Sequence, residues 1–194
     1  MFRLALIGLA LVVGLLIVLS LMPERLRPIP ESTITLAGAS VVLYPEADPD
    51  AVWTFASPAV AYEPDSRTTV LRDVQDGART EGGEVDFTVA SPELTIDRND
   101  NLRGDRIVAF LVESEDCLIM TAAEGAPVVI DQGDGRFEVP SMSITGPTWG
   151  DGTNFPRVRA SFDLTTFEAG GPGTSVVTEL LTERNDSRRT PCAS

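Results

Sequence analysis

Hydrophobic and polar positions along the chain fall into two regimes that change near residue 30. Leu4 to Met22 (LALIGLALVVGLLIVLSLM) runs nineteen residues without a charge. As a helix it would be about 28 Å long, close to the roughly 30 Å hydrocarbon core of a bilayer. The run is longer than the apolar core of a cleaved signal. It also ends in Leu19-Ser20-Leu21-Met22-Pro23, without a small-x-small cleavage site. Residues 1–22 therefore read as an uncleaved transmembrane anchor. Arg3 on one flank, and Arg25 and Arg27 offset by Glu24 on the other, lean toward a cytoplasmic N-terminus. Pro23, Pro28 and Pro30 make residues 23–32 an extended linker.

From Thr33 to Arg184 the pattern changes to short alternating runs. Glu84-Val-Asp-Phe-Thr-Val and Arg157-Val-Arg-Ala-Ser-Phe-Asp-Leu alternate with period two, and Asp105-Arg-Ile-Val-Ala-Phe-Leu-Val is richer in apolar residues. Turn formers separate them, such as Asp76-Gly77, Gly82-Gly83 and Gly133-Asp134-Gly135. This predicts an all-β domain over 33–184, followed by a polar tail at 185–194. Ser175 to Arg184 fits one helical face (Val176, Val177, Leu180, Leu181) or a last strand.

The domain also repeats itself. Thr54-Phe-Ala-Ser-Pro-Ala-Val-Ala-Tyr-Glu aligns with Thr88-Val-Ala-Ser-Pro-Glu-Leu-Thr-Ile-Asp at an offset of 34, and Phe137-Glu-Val-Pro-Ser-Met-Ser-Ile-Thr follows 48 further on. Before each proline (Pro58, Pro92, Pro140) the apolar residues hold one parity; after it they hold the other. A parity flip without reversal places an extra residue at a corner, so the strand bends while its apolar face stays inward. Proline suits such a corner because it donates no ladder hydrogen bond. Stacked units of this kind predict a folded-over sheet with an apolar interior.

Composition narrows the chemistry. The chain has 29 acidic and 15 basic residues, a formal charge of −14; every basic residue is Arg, with no Lys and no His. That removes imidazole-based nucleophile activation, imidazole metal sites, Schiff bases and the P-loop lysine. It also argues against nucleic-acid binding, which needs a positive surface. No cofactor is expected. Asp97-Arg-Asn99-Asp-Asn101 opens like a calcium loop, but Leu102 and Val108 stand where glycine and glutamate are required. It reads as a polar turn. The acids Glu113, Glu115 and Asp116 read as a solvated loop, with nothing in the sequence to raise one carboxyl for acid catalysis. For the two cysteines, a buried Cys117 and a loose Cys192 is the simpler expectation; a bridge would need an oxidising compartment. Trp53 is expected in the core and Trp149 in a loop.

Repeats of an aromatic residue, a proline corner, alternating apolar residues and an acid resemble the OstA-like β-jellyroll units of lipopolysaccharide export. The layout of anchor, linker and one β domain is similar to the LptC-type member. The resemblance implies a single folded-over β-jellyroll preceded by one N-terminal transmembrane helix, held at the inner membrane with the β domain in the periplasm. It further implies a non-catalytic protein that takes amphipathic lipid from an inner-membrane ABC transporter and hands it to another β-jellyroll by edge-strand pairing. The alternative is a structural module of an envelope complex that binds no lipid. Groove-lining positions by this resemblance are Phe55, Val60, Tyr62, Phe87, Val89, Leu94, Ile96, Phe110, Phe137, Val139, Met142, Ile144 and Phe162. From Pro28 onward 28 acids face 12 Arg, a balance that sets the chain apart from a binder of phosphate-rich lipid.

Overall fold

Among the described residues the alternating runs become eleven antiparallel strands: β1 (Ile34–Leu43), β2 (Ala51–Glu63), β3 (Thr68–Glu81), β4 (Glu84–Ile96), β5 (Leu102–Gly104), β6 (Arg106–Leu111), β7 (Asp116–Thr121), β8 (Val128–Asp131), β9 (Arg136–Gly146), β10 (Gly150–Ser161) and β11 (Phe167–Glu168). The structure is a computed structural model that describes residues 33–147, 149–170 and 192. The expected anchor, the linker, the 175–184 segment and the tail apart from Cys192 lie outside the described residues. No helix among the described residues is long and apolar enough to cross a membrane.

The strands follow one another as a meander in which β5 and β6 are two arms of one bent strand and β7 and β8 of the next. Every long strand bends, so the sheet folds over into two layers. The first layer holds residues 39–43, 51–57, 74–81, 84–91, β6, β7, 141–146 and 150–155. The second holds 34–37, 59–63, 68–72, 93–96, β5, β8, 136–139, 156–161 and β11. The hydrogen-bonded path β4–β5–β8–β9–β7–β6 returns to β4, giving a barrel-like closed middle, while β1 forms one edge and β11 lies at the other.

The corners fall at the repeated prolines. In β2 the buried positions are Trp53, Phe55 and Ser57, then Val60; in β4 they are Phe87, Val89 and Ser91, then Leu94 and Ile96; in β9 they are Phe137 and Val139, then Met142 and Ile144. Parity flips in all three. The register places Gly38 opposite Pro58, Asp73 opposite Pro92 and Arg157 opposite Pro140, and all three have positive φ (62°, 50° and 49°). A proline cannot donate, so the residue facing it is released from the ladder and turns left-handed, bending both strands together.

The first two corners also share a buried serine. The Ser57 hydroxyl lies 2.6 Å from the Arg72 carbonyl and 2.8 Å from that of Ala59, and it accepts from the Arg72 N–H at 3.1 Å. The Ser91 hydroxyl lies 2.8 Å from the Arg106 carbonyl and 2.6 Å from that of Glu93. Each serine reaches a carbonyl fifteen residues ahead, where the ladder is interrupted. Ser57→Ala and Ser91→Ala are each expected to cost about 1–3 kcal/mol, because buried backbone groups lose their partner. Urea unfolding of the two single variants measures this.

Candidate functional site

The interior is built from rows of cross-strand partners. In the second layer one row runs Ile34, Tyr62, Thr69, Ile96, Leu102, Ile130, Phe137, and the next begins Leu36, Val60, Leu71, Leu94. Cross-strand partners share a face, so every member points toward the opposite layer. From Ile96 to Phe137 the first row is buried. Toward β1 it opens: Tyr62 is 38% exposed, and Ile34 and Leu36 are each 53% exposed. Opposite them, Val41 and Leu43 are half-buried against the core. The interior therefore ends in an apolar wall that faces water at its β1–β2 end. At a sheet edge an inward side chain has a neighbour on one side only, which leaves it wet.

Eleven of the thirteen predicted groove residues are buried in one contiguous cluster: Phe55, Val60, Phe87, Val89, Leu94, Ile96, Phe137, Val139, Met142, Ile144 and Phe162. They pack against one another and present no open groove. The structure brings Tyr62 to the wet end of the wall. Phe110 points outward, contrary to expectation: the inward positions of β6 are Ile107, Ala109 and Leu111. Ile107 to Val112 is an unbroken apolar run, so it carries no alternation from which to read the face. Ile34 and Leu36 were missed because alternation marks the face of a residue and not its distance from a sheet edge.

The side away from the corners, where hairpin tips of the two layers meet, is filled by aromatics and one cation. Trp53 stacks on Phe55 (5.5 Å between centroids) and meets Phe87 edge-on at 5.2 Å; Phe87 and Phe162 are 5.2 Å apart, and Phe162 and Phe137 5.1 Å. Arg79 is buried in the β3 position between Trp53 and Phe87. Its guanidinium carbon lies 5.1 Å from the Phe162 ring centre and 5.9 Å from that of Phe87. Asp48, Glu81 and Asp86 surround its nitrogens. Burial works against its charge, but the hydrogen bonds of Asp48 and Glu81 and the charges of Asp48 and Asp86 hold its pKa above the ordinary value. It stays a cation.

Of the three acids beyond β6, Glu113 and Glu115 are exposed, whereas Asp116 is buried. This corrects the expectation of a wholly solvated loop. Asp116 starts β7 at an inward position over Gly146 and beside Trp149, with no cation paired to it among the described residues. Burial pushes its carboxyl above the usual range, and among the described residues neither its Oδ1 nor the Trp149 indole N–H has a hydrogen-bond partner. The folded chain thus keeps this proton at a pH where the unfolded chain has released it. Stability attributable to Asp116 falls as pH climbs from the ordinary carboxylate range through the raised native value. Asp116→Asn is expected to gain stability over the unsubstituted chain as pH rises from 4 to 7. Each kcal/mol raises Tm by about 2–4 °C in a chain this size, and thermal melts at three pH values measure it.

The remaining candidates resolve as structure. Asp97 accepts from the Asn99 and Asn101 N–H groups and binds Arg103 at 2.8 Å, and Asp100 accepts from the Glu46 N–H. The loop is a self-satisfied turn, and among the described residues no group of His, Cys, Asp and Glu is arranged to hold a metal. Trp53 is core, as expected, and Trp149 packs half-buried on Phe155 and Phe167. Cys117 and Cys192 form a disulfide with Cα atoms 5.6 Å apart, correcting the expectation of two separate thiols. The reason is again parity: Cys117 pairs with Phe110 on the outer face of the sheet, where a partner from the tail can reach it. No family model and no curated protein matches this chain.

Proposed function

We propose that this chain is a membrane-anchored periplasmic β-jellyroll of LptC-type layout. It receives amphipathic lipid from an inner-membrane ABC transporter and passes it to a partner jellyroll, without catalysing a reaction. The observation that carries the reading is the apolar interior wall left wet at Ile34, Leu36 and Tyr62. Each CH₂ of an acyl chain laid on such a wall is stabilised by roughly 0.8 kcal/mol. Those positions belong to β1 and β2, which follow the expected anchor and linker directly in the chain. Among the described residues β1 is also a sheet edge, paired with β2 alone, an arrangement suited to pairing with a strand of another chain. The disulfide fits an oxidising compartment such as the periplasm. The excess of acids favours a cargo whose headgroup stays in water and carries little phosphate.

A second reading has its own observation. Eleven predicted groove positions are packed core, which suits an interaction module whose edges hold an envelope complex together. Ile34→Asp/Leu36→Asp in the full chain, extracted into polymer nanodiscs, separates the two. Lipid transport predicts that lipid carried beyond the annular shell falls about tenfold while Tm is held; a charge at each site adds the cost of burying it against hydrocarbon. Unchanged lipid content supports the interaction module and contradicts the lipid reading.

A further inference from the structure

The two layers are joined covalently along the corners. Along the opposite side, among the described residues, they meet through side chains and loop contacts. Hairpin tips of the first layer carry Glu46, Ala47, Trp53 and Arg79; those of the second carry Asp100, Gln132, Gly133 and Phe162. Aromatic packing crosses this seam, with Phe87 of the first layer 5.5 Å from Phe137 and 5.2 Å from Phe162 of the second, ring centre to ring centre. The Trp53 indole N–H donates to the Gln132 side-chain oxygen at 3.2 Å, the Glu46 N–H donates to Asp100 at 3.1 Å, and Arg79 lies over the Phe162 ring.

The seam holds polar groups at positions where the rest of the interior is apolar. Arg79 and Gln132 are both buried, and among the described residues Arg79 Nε and Gln132 Nε2 have no hydrogen-bond partner. A buried polar group without a partner is destabilising, the more so if charged. Parting the tips would return both groups to water and recover that cost. Asp48, Glu81 and Asp86 all belong to the first layer and would travel with Arg79, keeping its charge paired. What opening loses is the stacking of Arg79 and Phe87 on Phe162, the Phe87–Phe137 contact, part of the burial of these rings, and the Trp53–Gln132 and Glu46–Asp100 bonds. A seam with hydrocarbon in place of the ion cluster would lose more, since a buried ion cluster contributes less than well-packed hydrocarbon of the same volume.

We propose that this seam is a gate, with Arg79 as its latch, that opens to extend the wet apolar wall at β1–β2 into the buried interior. Its use for acyl chains rests on the lipid reading above; its opening does not. Acyl chains longer than the exposed wall would enter through the parted tips and lie against Phe55, Phe87 and Ile144, which are sealed while the gate is shut.

Geometry supplies a lock. A β-carbon built on Gly133 lies 3.8 Å from that of Ala47 across the seam, and Gly133 does not have a left-handed backbone. That separation is ordinary for a disulfide. The test compares full-length Ala47→Cys/Gly133→Cys, oxidised and with its bridges mapped by mass spectrometry, against Ala47→Ser/Gly133→Ser. Both carry Trp149→Phe, leaving Trp53 as the sole tryptophan. Acrylamide quenching of Trp53 is expected to drop about threefold or more in the locked form, as a minor open state is removed. Equal quenching in the locked and serine forms overturns the gate. A photo-reactive phenylalanine analogue at Ile144 is expected to capture lipid in the serine form and not in the locked form; equal capture overturns the gate's role in loading. Absence of lipid at both Leu36 and Ile144, with quenching still sensitive to the lock, would remove the lipid reading and leave the gate standing.

Discussion

Phe87→Ala is expected to lower the unfolding free energy by about 3–5 kcal/mol, the range for deleting a fully buried aromatic. Phe87 is buried and sits at the crossing of three ring contacts, to Trp53, Phe137 and Phe162, with Arg79 over its face. Its neighbours come from both layers, so the cavity cannot be filled by one strand relaxing. The Arg79 guanidinium would also lose one of its two aromatic faces, an added loss of about 0.5–2 kcal/mol. Phe110→Ala is the control, because Phe110 is only half-buried on the outer face. It is expected to cost less than half as much, since transfer and cavity costs both scale with the burial that is lost. Equal costs in urea unfolding would contradict the assignment of faces along β6.

Gly146→Ala is expected to destabilise by about 1–3 kcal/mol or more, through overpacking at one contact. The added β-carbon would fall onto the Asp116 carboxylate and come 3.1 Å from the Asp116 Cα. Gly146 lacks positive φ, so the backbone itself accepts alanine. The clash therefore belongs chiefly to the Asp116 side chain. In an Asp116→Ala background the same substitution is expected to cost at least about 1 kcal/mol less, a coupling typical of residues in direct contact. Asp116→Ala alone removes a buried carboxyl whose Oδ1 has no hydrogen-bond partner and is expected to cost little. A Gly146→Ala penalty that is the same in both backgrounds would show that backbone, not the carboxylate, sets it.

The bend of the strands was readable because it is written twice, in proline and in parity. Ala56-Ser57-Pro58 and Ala90-Ser91-Pro92 place the same serine and proline at the same corner, and the third corner keeps the proline with Val139 before it. What sequence patterning cannot carry is position within a sheet. Ile34 and Leu36 alternate like their buried equivalents, yet an edge strand leaves them wet. Patterning assigns polar residues outward, so nothing in the sequence marks Arg79 or Asp116 as buried. Their burial depends on neighbours brought from other strands: Phe162 over Arg79, and Trp149 beside Asp116. Phe110 stood in an apolar run with no alternation to orient it. The disulfide joins cysteines 75 residues apart, a distance over which local pattern says nothing about pairing.

The same rows explain why the candidate site is smaller than the thirteen residues suggest. Inward position is shared by all of the wall, but contact with a ligand requires solvent, and only the β1–β2 end has both. Chain length of a bound lipid should therefore matter: a short chain fits the wet wall, and a longer one needs the buried interior.

The most direct measurement is photo-crosslinking in the native membrane, with a benzophenone-bearing phenylalanine placed in the full chain at Leu36 or, separately, at Val42. Leu36 faces the interior wall, and Val42 is an exposed position of the same strand on the opposite face. A lipid-carrying wall yields lipid adducts by mass spectrometry at Leu36 and none above background at Val42. Protein adducts without lipid at Leu36 would contradict it.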